Sequence, residues 1–396
     1  MPNRAGLRRA VVLSALAGVA IYAIMLRSPQ RRVRVFTKSP KSQTAAALAR
    51  VEHLVARLRT PWLFSHSVVQ LFILVMHQKL VQKSIKAERR ILVSLDNYLD
   101  VYQDLASVSE RAPVVIYLPG IAGGNAEAMG FVKHVVSNGW IAMVHLRRGH
   151  AGPLSEPSFN LFGNAQDLRE CILHIETHFP GRPIALVGNS AGTAILVRYL
   201  GVFKEDARVA AAVCISAGYD ISTHTGVWSR SGFKDSLLDR YLTATLKRFF
   251  IANNAALLQA HNADAYNRLV AAPNMQEFQR EASKFAHPSP SAPGSRAWDD
   301  EEWLRETCPL TVSSGIRVPT LAINAEDDPI CHFEFVERHA FNLPVTNEHL
   351  ALVLTEVGSH CAFLDFEGGP RLKVENYAHR LALGFIDAIC FHSQDS

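Results

Sequence analysis

The chain has 396 residues, of which 48% are hydrophobic and 19% charged. This is enough apolar material for a large core and excludes an intrinsically disordered chain. The formal net charge is +5, but ten of the 41 Lys and Arg residues lie in residues 1–51, which contain no Asp or Glu. The remainder is acidic on balance, which argues against a nucleic-acid-binding main domain. Six cysteines are scattered without C-x-x-C pairs, so the sequence has no zinc or redox spacing.

The N-terminal segment contains a run of 17 uncharged residues, Ala10 to Leu26, with arginines on both sides. As a helix this run would span about 25 Å, and the flanking arginines can extend a short span by snorkelling. We predict an uncleaved single-pass membrane anchor over residues 1–35, with a cleaved signal peptide and a mitochondrial presequence as alternatives. The basic residues after the run favour a cytosolic main domain on an endomembrane such as that of the endoplasmic reticulum; a mitochondrial membrane is the alternative.

A second apolar stretch covers Trp62 to Met76 and contains several polar residues. It is too short and too interrupted for a membrane span. We expect a buried or membrane-surface helix here, within a helical N-terminal extension over residues 36–85.

Residues 86–396 alternate between strand and helix patterns. Segments that read as strands occur at 90–94, 114–118, 141–146, 184–187, 209–215, 318–323 and 351–354, and the continuous apolar run at 114–118 suits a strand buried on both faces. Between these segments, and again near the C-terminus, apolar residues recur at the spacing of one helix face. This alternation predicts an α/β fold with a mostly parallel central sheet and helices on both faces. Residues 217–317 contain no convincing strand, which indicates a helical cap inserted between two strands.

A candidate nucleophile follows the run at 184–187. The segment Gly188-Asn189-Ser190-Ala191-Gly192 leads into an apolar helical pattern. This is G-x-S-x-G between a buried strand and a helix, the context in which a sharp turn exposes a nucleophilic serine. We predict Ser190 as the nucleophile. The alternative is a glycine-rich packing turn.

A serine nucleophile needs a base and an orienting acid, which follow it in the order acid, then histidine. The run at 318–323 leads to Glu326-Asp327-Asp328, and the run at 351–354 leads to Gly358-Ser359-His360. Carboxylates just past a parallel strand lie at the same sheet edge as the serine turn. We predict Asp328 as the acid, with Asp327 as second choice, and His360 as the base. A solvated hydrophilic turn is the alternative for the two acids.

The oxyanion formed during acyl transfer needs two N–H donors. The backbone N–H of Ala191, next after the serine, is the expected first donor. The second is expected from the glycine-rich loop Leu118 to Gly124, and we assign it to Ile121. An ordinary glycine-rich turn is the alternative reading of this loop.

The order and spacing of these segments resemble the α/β-hydrolase-domain (ABHD) proteins of the AB-hydrolase-4, or YheT-like, subfamily. The resemblance covers roughly residues 55–390 and rests on Leu118-Pro119-Gly120, Arg148-Gly149, Asp167-Leu168 and the segments around Ser190, Asp328 and His360. It implies an α/β-hydrolase fold and a membrane-associated serine esterase or lipase. The substrates implied are short- to medium-chain acyl esters, monoacylglycerols or other lipid esters.

The expected activity is therefore hydrolysis of carboxylic esters through an acyl-enzyme on Ser190, without a metal or an organic cofactor. Expected partners are a small-molecule ester or lipid, and a membrane through the N-terminal helix, with no nucleic acid. Two alternatives stay open: an alcohol O-acyltransferase on the same three residues, and a catalytically inactive lipid-binding module. One further spacing, His360-x4-Asp365, is associated with acyl transfer in some relatives. Here we expect Asp365 to cap or solvate a turn.

Overall fold

A computed structural model describes residues 18–19, 21, 29–81, 86–103, 108–222, 224, 226–286, 299–335, 338, 346–367 and 373–392. Its strands are β1 (Val33–Thr37), β2 (Arg89–Ser94), β3 (Asn97–Val101), β4 (Val114–Leu118), β5 (Ile141–Leu146), β6 (Ile184–Asn189), β7 (Ala211–Ile215), β8 (Thr320–Ala325), β9 (Leu350–Thr355), β10 (Leu364–Glu367) and β11 (Lys373–Asn376).

The helices of the described residues are α1 (Gln43–Arg50), α2 (Glu52–Val55), α3 (Ser67–Val81), α4 (Asn125–Ser137), α5 (Ala165–His178), α6 (Gly192–Phe203), α7 (Leu237–Leu246), α8 (Ala255–His261), α9 (Ala263–Ala271), α10 (Met275–Ala282), α11 (Asp300–Thr307), α12 (Phe333–Phe335) and α13 (Tyr377–His392). All seven predicted strands are present, with ends that differ from the prediction by no more than a few residues.

The central sheet of the described residues has nine strands in the order β1-β9-β8-β7-β6-β4-β5-β3-β2. Strands β4 to β9 run parallel, which confirms the predicted mostly parallel sheet. β1 pairs antiparallel with β9 at one edge, and β3 pairs antiparallel with β5 near the other. β10 and β11 form a separate hairpin.

The central strands are apolar throughout because both of their faces are covered. In β4, Val115 and Tyr117 belong to one hydrophobic cluster, while Val114, Ile116 and Leu118 belong to the cluster on the opposite face. Helices α4 and α13 pack on the first face, and α5 and α6 pack on the second. The carboxyl ends of β4, β6, β8 and β9 therefore meet at one edge of a buried sheet.

Strand β1 was not predicted from the sequence, because Arg34 within it and Arg32 just before it resemble a basic membrane flank. In the fold, Arg34 forms an ion pair with Glu326 at 2.7 Å, and Arg32 contacts the same carboxylate at 3.0 Å. Glu326 follows β8 directly. Arg34 of this edge strand and the preceding Arg32 are thus held by an acid that directly follows β8.

The chain between β7 and β8 forms the predicted cap. Helices α7 to α11 lie there, and no strand occurs among the described residues 217–222, 224, 226–286 and 299–317. Buried cap side chains, among them Phe250, Phe278 and Trp303, form one cluster with Ala194 of α6. The cap is therefore packed directly on the helix that follows Ser190.

The predicted membrane anchor lies outside the described residues except at positions 18, 19 and 21. Among the residues described, no helix is both long and apolar enough to cross a bilayer. The division of the chain at residues 35 and 85 stays a prediction. Strand β1 spans the first of these positions.

Candidate active site

Ser190 occupies a sharp turn between β6 and α6. Its φ of 51° lies in the left-handed region, which costs a non-glycine residue roughly 1–2 kcal/mol. Hydrogen bonds fix the turn: the Ser190 N–H donates to Ile215 O at 2.9 Å, and the Thr193 hydroxyl donates to Ser190 O at 2.6 Å. A Cβ on Gly192 would lie 1.9 Å from Leu118 O, so only glycine lets the helix start this close to β4. The sequence therefore builds a strained, well-fixed serine.

Asp328, His360 and Ser190 form one hydrogen-bonded chain. His360 Nε2 lies 2.7 Å from Ser190 Oγ, and His360 Nδ1 lies 2.9 Å from Asp328 Oδ2. Asp328 is buried on the loop after β8, and His360 lies on the loop after β9. The structure thus brings together three residues that the sequence separates by up to 170 positions.

The electrostatics suit a general base. The backbone N–H groups of Ile330 and Cys331 both donate to Asp328 Oδ1 at 2.8 Å, which stabilises a buried carboxylate. Burial alone would lower the pKa of His360, but the charge of Asp328 and its hydrogen bond outweigh that effect and raise this pKa well above its usual value. A proton taken from Ser190 would therefore be held firmly by the imidazole.

Asp327 has a different role from its neighbour. Its Oδ1 accepts the backbone N–H groups of Gly358 and Ser359, both at 2.8 Å, and its Oδ2 accepts from Gln70 at 3.3 Å. Burial raises the pKa of Asp327 to about 6. Of the two adjacent acids, only Asp328 bonds to the His360 ring, while Asp327 fixes the backbone of the histidine loop.

Ile121 and Ala191 both line a small pocket next to Ser190. No acceptor for the N–H of either residue is found among the described residues. The pocket has a volume of about 30 Å³, and its other walls are largely apolar; they include Ile221, Val227 and Trp228 of the cap. Two free donors beside a serine hydroxyl are the arrangement that stabilises an oxyanion.

Two charged residues that the sequence analysis missed, the half-buried Glu127 and the buried Arg147, hold the glycine-rich loop. Glu127 Oε1 accepts from Gly120 N at 3.0 Å, from Asn189 Nδ2 at 2.7 Å and from the Tyr117 hydroxyl at 3.1 Å. Burial raises the pKa of Glu127, and these hydrogen bonds oppose the rise. The carboxylate links the loop after β4 to the residue just before Ser190.

On the other side of the same loop, Arg147 donates to Pro119 O and to Gly120 O, each at 2.8 Å. Its guanidinium is fully buried, and burial lowers its pKa to about 10. Arg147 directly follows β5, and a charge at that position could have marked it in the sequence, whereas Glu127 lies within α4 and carries no such signal. Their partners are backbone atoms that sequence spacing does not identify.

Among the described residues, one cluster contains three side chains of types that can bind a metal: Asp328, Cys331 and His360. One possible ligand atom of each lies within 4.8 Å of those of the other two. The carboxylate and imidazole already bond to each other, and burial raises the pKa of the Cys331 thiol to about 11. A protonated thiol is a poor metal ligand. The contacts therefore suit a hydrogen-bonded chain better than a ligand set.

Asp365 lies away from this chain of residues. Its Oδ1 accepts from Arg59 N at 2.8 Å, and its Oδ2 pairs with Arg380 at 2.6 Å. It ties the segment before α3 to α13, which gives it a structural role in place of the expected turn cap.

A serine hydrogen-bonded to a histidine and an acid, on the turn after a central strand of this sheet, defines the α/β-hydrolase class. The model of the alpha/beta hydrolase family matches residues 115–368. The chain belongs to this family, and its relatives make it an ABHD-type member, which confirms the resemblance.

Three curated relatives illustrate the similarity. Protein ABHD15 of Homo sapiens is 29% identical over 67% of this chain and 54% of its own length. Phospholipase ABHD3 of Mus musculus is 25% identical over 72% of this chain and 65% of its own length. The putative esterase YheT of Escherichia coli (strain K12) is 26% identical over 65% of this chain and 72% of its own length. The chain thus spans about half to two thirds of the length of the first two.

Proposed function

We propose that this chain is a serine carboxylic-ester hydrolase, with Ser190 as nucleophile, His360 as general base and Asp328 as the orienting acid. The hydrogen-bonded chain Asp328–His360–Ser190 carries the proposal. The names of two relatives, a phospholipase and a putative esterase, support the class of reaction.

The reaction follows from the geometry. Ser190 Oγ attacks the ester carbonyl carbon while its proton passes to His360 Nε2, and the carbonyl oxygen becomes an oxyanion held by the N–H groups of Ile121 and Ala191. Each well-placed donor contributes roughly 3–4 kcal/mol. When the carbon–oxygen bond breaks, His360 gives its proton to the leaving alcohol. Water then attacks the acyl carbon and loses a proton to His360. The bond between this carbon and Ser190 Oγ breaks, His360 returns the proton to Ser190 Oγ, and the carboxylic acid leaves.

Lipid esters are the proposed substrates: short- to medium-chain acyl esters, monoacylglycerols or related lipids. The walls of the pocket at Ser190 are largely apolar, which suits an acyl group. Its volume of about 30 Å³ holds little more than two water molecules. We therefore expect the cap residues Ile221, Val227 and Trp228 to move apart when an acyl group binds.

Membrane attachment through Ala10 to Leu26 is part of the proposal, with the main domain on the cytosolic side of an endomembrane. It is supported by the apolar run and its basic flanks. Helix α3, expected to be buried or at a membrane surface, exposes Phe72 and Leu80 at 65% and 77%. Retention of the full chain in the membrane pellet after alkaline extraction is expected; release into the supernatant would contradict the anchor.

The activity is tested with a short-chain fluorophosphonate probe on the detergent-solubilised chain. We expect labelling of the parent protein and of the exposed control Ser314→Ala, and no labelling of Ser190→Ala. A folded parent protein that is not labelled would contradict the hydrolase and favour an inactive lipid-binding module. Product analysis with added alcohol then separates hydrolysis from acyl transfer, because a transferase forms a new ester in preference to the free acid.

A further inference from the structure

The residue that directly follows strand β7 has an unusual backbone conformation. Ser216 is fully buried, and its φ of 52° lies in the left-handed region. This conformation costs free energy for any residue except glycine, and it persists only where the surrounding contacts fix it. Ser190 has the same conformation directly after β6, the neighbouring strand of the sheet. The catalytic edge thus holds two strained serines, of which the reaction uses one.

The side chain of Ser216 holds the histidine loop. Its Oγ accepts the backbone N–H of Cys361 at 2.9 Å, and Cys361 directly follows His360. In the part of the chain that the structure describes, this hydroxyl oxygen is the acceptor found for that N–H. Cys361 itself has a φ of 66°, so the backbone just after the base is also strained. A buried N–H without an acceptor is costly, and the Ser216 hydroxyl therefore stabilises this course of the loop.

The backbone of Ser216 contacts the segment that carries the acid. Its N–H donates to Ile323 O of β8 at 2.8 Å, and its carbonyl oxygen accepts from the Cys331 thiol at 3.4 Å. The thiol can donate because burial raises its pKa to about 11, which keeps it protonated. The backbone N–H of Cys331 in turn donates to the Asp328 carboxylate at 2.8 Å. Ser216 is thus one hydrogen bond away from the residue that fixes the acid.

The third catalytic segment is bonded to the residue just before Ser216. Ile215 O accepts the backbone N–H of Ser190 at 2.9 Å. The two consecutive residues Ile215 and Ser216 are therefore hydrogen-bonded to the nucleophile turn, to the acid loop through Cys331 and to the histidine loop through Cys361. Of these contacts, the one to the histidine loop is made by a side chain of this pair, so a substitution can remove it.

We propose that Ser216 is a positioning residue that aligns the base with both of its partners. Its hydroxyl fixes the backbone next to His360, so that Nδ1 stays 2.9 Å from Asp328 and Nε2 stays 2.7 Å from Ser190. Asp327 holds the backbone before His360, and Ser216 holds the backbone after it. The inference rests on the proposed function, because it assigns a role in placing the base of that reaction.

Two substitutions separate a positioning role from a structural one. Ser216→Ala removes the acceptor and leaves the backbone strain in place. Ser216→Gly removes the same acceptor but relieves the strain, because glycine adopts a positive φ readily. Ser216→Gly should therefore be the more stable of the two variants, while both should lose the alignment of His360. Ser313→Ala is the matched control: Ser313 is also buried, and its hydroxyl donates to Leu310 O at 3.3 Å, three residues away.

The test uses the detergent-solubilised full chain and measures three quantities: the rate of fluorophosphonate labelling, the midpoint of chemical unfolding and the Nδ1–H proton resonance of His360. A hydrogen bond from an imidazole to a carboxylate shifts this proton resonance far downfield, and its loss in His360→Ala assigns it. We expect both Ser216 variants to be labelled about 10–10²-fold more slowly, as for a misplaced catalytic group, and to lose or shift the resonance. Ser313→Ala should match the parent. If Ser216→Ala does not fold, Ser216→Gly carries the test.

A parental labelling rate and an unmoved resonance in the Ser216 variants would overturn the inference. A labelling rate that follows stability, with Ser216→Gly close to the parent, would also overturn it and leave Ser216 a structural role. The resonance reports the bond between Asp328 and His360 whether or not the chain cleaves esters. A parent that shows the resonance but is not labelled therefore refutes only the hydrolase, and the resonance of the variants still decides the role of Ser216.

Discussion

The substitution Glu127→Gln tests how the oxyanion loop is held. Three donors, from Tyr117, Gly120 and Asn189, converge on Glu127 Oε1, and Gly120 N also reaches Oε2 at 3.2 Å. A glutamine has nearly the same shape but only one acceptor oxygen and no charge. Its NH₂ group would face the N–H of Gly120, or, in the flipped orientation, all three donors.

The expected cost follows from these contacts. A hydrogen bond to a charged group contributes about 1.5–3 kcal/mol, so we expect Glu127→Gln to lower the free energy of unfolding by about 2 kcal/mol. Gly120 directly precedes Ile121, whose N–H we assign to the oxyanion. Loss of one oxyanion donor reduces kcat by about 10²–10³-fold, which sets the upper limit for a loop that shifts. We expect kcat to fall by about 10–10²-fold, with KM changing little.

The assay is hydrolysis of a soluble short-chain ester, together with the rate of fluorophosphonate labelling and a chemical unfolding curve. Glu176→Gln is the matched control, because Glu176 forms only a partly exposed ion pair with Arg208. A Glu127→Gln protein with parental kcat and parental unfolding midpoint would refute the proposed positioning role. A loss of stability without any loss of kcat would limit Glu127 to a structural role.

Three further outcomes follow from the site. Because the charge of Asp328 raises the pKa of His360, activity should fall on the acidic side of the pH–rate profile, as the pH drops through that raised pKa. In Asp328→Asn this acidic limb of the profile should move to lower pH, and kcat should fall by about 10⁴-fold. An unmoved limb in the pH–rate profile would argue against this pairing. Asp327→Asn should cost activity less than Asp328→Asn, because it leaves the His360 hydrogen bond in place; the reverse order of labelling rates would exchange the two roles. Gly192→Ala should lower the free energy of unfolding by about 2 kcal/mol or more, as measured by thermal unfolding. The control Gly124→Ala, whose Cβ meets no atom within 4 Å, should not. Equal melting temperatures of the two variants would contradict the close approach of Gly192 to Leu118.

Hydrophobic patterning predicted the buried strands because they are covered on both faces. Strand β3 was not predicted because its sequence is not continuously apolar. It contains the buried polar residues Asn97 and Asp100, each of which bonds to a side chain on another strand. Asp100 pairs with Arg90 at 2.6 Å, and Asn97 bonds to His145 at 2.7 Å. Polar residues paired across strands have no periodic signal in a single sequence.

The order of elements predicted Ser190 and His360, but it could not separate Asp327 from Asp328. The two acids are adjacent in sequence and their side chains bond in different directions, one to the histidine ring and one to the backbone of the histidine loop. Glu127 and Arg147 were missed because their partners are the backbone of Pro119 and Gly120 and the side chain of Asn189. Side-chain direction and backbone acceptors are properties of the assembled sheet edge.

The contacts of α3 show that this N-terminal helix supports the site directly. Gln70 donates to Asp327, which in turn holds two N–H groups of the histidine loop. Ser359, the residue before His360, donates its hydroxyl hydrogen to Ser67 O at 2.8 Å. Helix α3, which exposes Phe72 and Leu80, is therefore bonded both to Asp327 and to the loop that places the base. A shift of α3 would act on these two hydrogen bonds, so we expect the placement of His360 to depend on the position of this helix.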